Sequence, residues 1–190
     1  MRRPFARASV GPLSLLFLLG AASPAAPPDP ADARALVASF QSALQSELLG
    51  AMKKGGPASA IEVCRDRAPA VASGISRESG WTVARTALKV RNPKNAPDPW
   101  EKKVLEEFAN RAALGEDVAS IEKSEVVETG GTKVFRYMKA IRTGEACLAC
   151  HGASMKPEVE AKLKALYPDD RATGFSTGDL RGAFTLTKRL

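Results

Sequence analysis

Five consecutive residues, Cys147-Leu148-Ala149-Cys150-His151, constrain this chain more than any other stretch. Two thiols separated by two residues can each add to a vinyl group of a haem, and the histidine that follows at once then reaches the iron beneath the ring. A chain that does this must leave a ring-sized apolar gap in a small core and wall it with distant segments. His151 is the sole histidine in 190 residues, and of the three cysteines only Cys64 lies outside the motif.

Three other uses of the motif compete. A thioredoxin-like dithiol at Cys147 and Cys150 would need a strand-then-helix frame, which the flanking sequence lacks. Zinc held by Cys64, Cys147, Cys150 and His151 has the right donor types, yet adjacent Cys150 and His151 rarely both reach one tetrahedral ion. A plain disulfide leaves His151 and Cys64 without a role. One covalent haem c is therefore the expected cofactor. With His151 on one face of the iron, the other face falls to Cys64, Met52, Met138, Met155, a lysine, a tyrosine or an open position. Each methionine also serves as an ordinary core filler, and Cys64 as a small buried hydrophobe.

The N-terminus sets the compartment. Residues 1–25 read as a signal peptide: Met1 to Pro12 is basic, Leu13 to Leu19 is apolar, and Ala21 to Ala26 is small and Pro-broken. The apolar run from Gly11 to Ala22 is 12 residues, against the roughly 20 that cross a bilayer. Cleavage is expected after Ala22 or Ala25, and no cysteine nearby could carry a lipid. The expected product is exported, periplasmic and soluble, without stable membrane insertion. Hydrophobic residues at 44% and charged residues at 26% exclude wholesale disorder. The formal charge of +7 falls to +4 once Arg2, Arg3 and Arg7 are removed, too mild to make nucleic acid the default partner.

Behind a Pro/Ala-rich linker at 26–31, residues 32–190 read as one domain. A helix is expected from Asp32 to about Met52, with Leu36, Phe40, Leu44 and Leu48 on one face. Gly55-Gly56-Pro57 breaks it, and a second helix runs from Ala58 to about Ser73, kinked or ended by Pro69. In it Cys64 shares a face with Ile61 and Ala68. A strand is expected over Trp81 to Val90, then a helix from Asp98 to Leu114 with Asp98 and Glu101 as a capping box. Ile121 to Glu128 and Lys133 to Ile141 form a hairpin around Gly130-Gly131. The motif follows in a loop, then a helix over Pro157 to Leu166 and a closing strand over Gly182 to Leu190. This is an α+β layout, an antiparallel sheet of about four strands with N-terminal helices and one crossing helix.

Specific blocks then carry a family resemblance. They are Ala60-Ile61-Glu62-Val63-Cys64 with Ala68-Pro69, Arg85-Thr86 with Leu88 to Asn95, and Asp98-Pro99-Trp100-Glu101. They continue through Cys147 to Gly152, Tyr167-Pro168-Asp169-Asp170 with Ala172-Thr173-Gly174-Phe175, and Gly178 to Ala183. In that order they resemble the PAS-like haem c domain family, whose members are small exported haem proteins and sensor modules of bacterial signalling proteins. The resemblance covers about Ala35 to Leu190. It implies a PAS-like sheet, haem attached at Cys147 and Cys150, His151 as one axial ligand and Cys64 as the other. The sequence carries no kinase, cyclase or methyl-accepting region, so any signal would pass to a separate partner.

Haem propionates need basic or amide partners, and Arg85, Arg91, Lys94 and Asn95 are the candidates. Tyr167 is expected near the haem edge, and Gly182 is expected to shape a turn rather than touch a ligand. No acid–base constellation accompanies the motif, so an electron carrier or a redox or gas sensor is expected rather than an enzyme. The partner, a redox protein or a signalling protein, is left open.

Overall fold

Helix α1, Pro30–Glu62, starts where the Asp29 side chain accepts from Ala31 N–H and Pro30 takes the first turn. The computed structural model describes residues 28–190; the expected signal peptide over 1–25, both expected cleavage points and residues 26 and 27 of the expected linker lie outside the described residues. The helix begins at Pro30, before the expected end of the linker at 31. Gly55 and Gly56 leave helical geometry, Gly56 at a φ of +70°, so α1 is two helices meeting at the expected break. Pro69 does not end the helix. The chain widens into a π turn, Val63–Arg67, and then runs on as α2, Ala68–Ser79, to a left-handed Gly80. Proline has no N–H for the Arg65 carbonyl, and its ring would strike that carbonyl in α geometry. The wider turn relieves the clash, and Ala68 N–H donates five residues back to Val63.

Strand β1 covers only Thr82–Thr86. Beyond it the backbone leaves the sheet, and the Val90 carbonyl accepts from Arg171 N–H at 2.9 Å. Helix α3, Pro99–Ala113, carries the full capping box of Asp98 and Glu101. Strands β2, Glu122–Thr129, and β3, Thr132–Arg142, pair across the Gly130-Gly131 turn. After β3 come a 3-10 turn over Glu145–Cys147, the short helix α4, Leu148–His151, helix α5, Pro157–Leu166, and strand β4, Leu180–Arg189. The motif expected in a loop is thus partly helical.

The sheet is four-stranded, antiparallel and ordered β1-β4-β3-β2. Alternation along β3 and β4 fills both faces. Phe135, Tyr137, Phe184 and Leu186 pack with Val37, Phe40 and Trp81 under α1. Met138, Ala140 and Ala183 pack against Val104, Leu105 and Phe108 of α3 on the other face. A third cluster joins Ile61 to Val159, Leu163 and Tyr167, docking α5 on the end of α1. The fold is PAS-like α+β, as the sequence resemblance implies.

Candidate functional site

A cavity of about 190 Å³ opens at the end of the sheet between α1, the π turn, the β1 exit, α4 and the start of β4. Its walls are mostly apolar: Leu44, Leu48, Met52 and Ile61 from α1, with Val90 and Ile141 opposite. Cys147, Cys150 and His151 line it from α4 and the turn before it, and Cys64 lines it from the π turn. All three thiols are free. Cys147 Sγ accepts from Gly144 N–H at 3.4 Å. Burial pushes the Cys150 thiol up, Arg91 opposes this, and the nearby Cys64 and Cys147 add to it.

His151 is fixed by its own surroundings. Nδ1 lies 2.6 Å from the Ala172 carbonyl. That oxygen can only accept, so Nδ1 carries the proton and Nε2 keeps its lone pair. Burial, reinforced by Arg181 and Arg91, drives the imidazole down to about 2, so the ring is neutral at physiological pH. The Phe175 ring meets it edge-on at 6.3 Å. Two backbone bonds, Phe175 N–H to His151 O at 3.0 Å and Gly174 N–H to Gly152 O at 3.1 Å, hold the 174–175 segment against α4.

Positive charge gathers on one side. Arg85, Arg91 and Arg181 all line the cavity. Only Arg91 has a carboxylate, Asp170, at 2.9 Å. Arg85 stands 5.8 Å from the Phe40 ring centroid with no carboxylate in ion-pair range among the described residues. Arg181 is pushed down to about 10 by burial and by Arg91 and Arg85, and its Nε is buried without a hydrogen-bond partner. Two neighbouring arginines short of anions make a place for carboxylates or phosphates.

Asn95 and Tyr167 also line the cavity, whereas Lys94 is exposed in the 3-10 turn Pro93–Asn95 and does not. Gly182, expected only to shape a turn, lines it as well. Of the methionines among the described residues only Met52 reaches the cavity; Met138 is in the α3 core and Met155 packs beside α5. Arg181, Asp170 and Ala172 escaped the sequence reading of site roles, although all three lie in the blocks that carry the resemblance. Among the described residues no three Cys, His, Asp or Glu side chains converge as a metal cage.

A family model described as Tll0287-like matches residues 25–188. The chain belongs to the Tll0287-like family. A solved structure similar to it is the crystal structure of the cyanobacterial haem protein Tll0287, at 28% identity and a TM-score of 0.62, over 85% of this chain and 97% of that one. No curated protein matches the chain. In this Tll0287-like chain the separated sequence blocks converge, since Ile61, Cys64, Arg91, Tyr167 and Arg181 wall one cavity. No helix among the described residues is long and apolar enough to cross a membrane.

Proposed function

We propose that this chain is an exported c-type haem protein that carries single electrons. One haem is attached through Cys147 and Cys150, with His151 and Cys64 as axial ligands. The observation that carries the proposal is that these four residues, with Cys64 far from the others in sequence, line the same apolar cavity. The rest of the site fits a haem in kind: a neutral imidazole with a free Nε2, and arginines without anions. Likeness to a haem protein in sequence and structure adds support.

The bound haem supplies a one-electron couple. The protein does the remainder. Cys147 and Cys150 would hold the haem, and His151 is oriented by its bond to the Ala172 carbonyl. Cys64, as a thiolate donor, would favour the oxidised metal and lower the potential. Arg85, Arg181 and Asn95 line the cavity and would hold the propionates. Tyr167, only 7% exposed, lines the cavity and would shield a bound haem from water.

Expressed with a cytochrome c maturation system, the protein is expected to be red, to keep its haem through denaturing electrophoresis and to resist acid-acetone extraction. Colour that leaves the polypeptide would overturn covalent attachment. Cys64→Ser is expected to raise the midpoint potential and abolish the low-spin ferric thiolate signal in electron paramagnetic resonance. An unchanged spectrum and potential would reduce Cys64 to a core residue and move the ligand role to Met52 or to none. Mass spectrometry is expected to find a mature N-terminus at Ser23 or Ala26; an intact Met1 in membranes would make Leu13 to Leu19 an anchor and overturn cleavage.

A second role, redox or gas sensing through a partner, is favoured by one feature. Cys64 sits on a π turn, a rare helical geometry that is frequent at functional sites. Carbon monoxide binding by the ferrous protein, with loss of the Cys64 ligand, distinguishes sensing from plain electron transfer.

A further inference from the structure

Arg91 and Asp170 form the most deeply buried ion pair among the described residues, with side chains 8% and 9% exposed and Nε donating to Oδ2 over 2.9 Å. A buried pair has a desolvation cost that its own attraction barely offsets, so its remaining bonds say more about its role. Asp170 Oδ1 accepts from Ala172 N–H at 2.8 Å. Arg91 Nη2 donates to the Cys150 carbonyl at 2.5 Å and to the Ala172 carbonyl at 3.3 Å. The Ala172 carbonyl is also the acceptor for His151 Nδ1 at 2.6 Å. The pair therefore grips the backbone on both sides of the imidazole, once in its own helix and once through its ring nitrogen.

We propose that Arg91 and Asp170 are a positioning pair that sets how strongly His151 donates to the iron, an inference that rests on the haem assignment above. The Ala172 oxygen serves two donors. The guanidinium withdraws density from it, so its bond to the imidazole N–H is weaker than it would be alone and the ring keeps less imidazolate character. Asp170 locks the guanidinium in place and offsets its charge. Loss of Arg91 strengthens the hydrogen bond that Nδ1–H donates to the Ala172 carbonyl and removes a positive charge, and both changes favour the ferric state. Loss of the Asp170 charge leaves Arg91 uncompensated and favours the ferrous state. Arg91 thus acts through His151 rather than as a propionate partner.

The test is the midpoint potential of purified holoprotein. Arg91→Gln is expected to shift the ferric/ferrous equilibrium about tenfold toward ferric, a fall of about 59 mV for one electron. Asp170→Asn is expected to raise the potential by a similar amount, and Arg91→Lys, which keeps the charge without the fork, to lie between wild type and Arg91→Gln. Potentials that move the same way in both charge-removing variants, or that do not move, overturn the proposal. In wild-type holoprotein the hyperfine-shifted Nδ1 proton of His151 is expected to exchange slowly with solvent. Fast exchange overturns the proposal even where the variants fail to mature. A wild-type protein without covalent haem defeats the haem assignment instead, so the two failures are told apart.

Discussion

Glu122 shows how one side chain can join two layers. Its carboxylate accepts from Arg34 Nε at 2.9 Å on α1 and from the Tyr137 hydroxyl at 2.8 Å on β3, with Lys139 Nζ at 3.5 Å. The Arg34 guanidinium, aided by Tyr137 and against the cost of burial, holds the carboxyl down to about 2 from an ordinary 4.5. The folded state therefore keeps a charge that the unfolded chain loses first. Its stabilisation is complete above about pH 4.5 and vanishes as the pH falls toward 2. Glu122→Gln is expected to cost about 1 kcal/mol at pH 7, a modest figure because solvent screens the pair. The variant should also show a flatter loss of stability over that acid window, measured by urea unfolding at stepped pH. Equal pH slopes in the two proteins would show that Glu122 is not the group responsible. The pair was invisible in sequence, because Arg34 and Glu122 meet only after α1 folds onto the sheet.

At the scale of elements, the junction of β1 and β4 decides the shape of the cavity mouth. Gly182 pairs with the end of β3 and lies directly under the β1 exit. A Cβ there would stand 2.5 Å from the Thr86 carbonyl oxygen and 2.9 Å from Ala87 Cβ, with φ at +154°. Neither neighbour is a flexible side-chain end, so the strands would have to part. Gly182→Ala is expected to destabilise the protein by about 1–3 kcal/mol and, on the haem assignment, to lower the yield of holoprotein. A melting temperature equal to wild type would show that the junction yields freely. Other elements were legible in advance because their signals are local. The capping box at Asp98 and Glu101 and the Gly130-Gly131 hairpin each depend on residues within a few positions. Pro69, expected to kink or end its helix, does not end it, for the opposite reason. The helix survives it because a π turn absorbs the proline and the flanking segment stays packed, with Ala68 buried in the main core.

At the scale of the whole molecule, the cavity is a seam where α1, the π turn, α4, α5 and the sheet end meet. The Ile61, Val159, Leu163 and Tyr167 cluster and the Lys162–Glu62 ion pair at 2.6 Å tie α5 to α1. A covalent group spanning the seam would stabilise the native state by binding it selectively. Under the proposed function, matured wild type is expected to melt well above the unloaded Cys147→Ser/Cys150→Ser double variant, as read by circular dichroism. Similar melting temperatures would mean that the seam closes without the haem and that the cavity is preformed.

What the sequence determined by itself is what short-range chemistry can encode. The Cys147–His151 spacing specifies a haem-type attachment motif, the alternating and helical patterns specify α+β elements, and the ordered blocks specify a family. Tertiary structure alone decided which side chains share the cavity. Lys94 and Asn95 are neighbours in the chain, yet only Asn95 faces the cavity, because the 3-10 turn at Pro93 sends the lysine outward. Arg181 joins Arg85 through β1–β4 pairing, and Arg91 is claimed by Asp170, a residue from the far end of the chain. A buried charge takes whichever partner folding brings within about 3 Å. That choice depends on how distant segments pack, which no local pattern records.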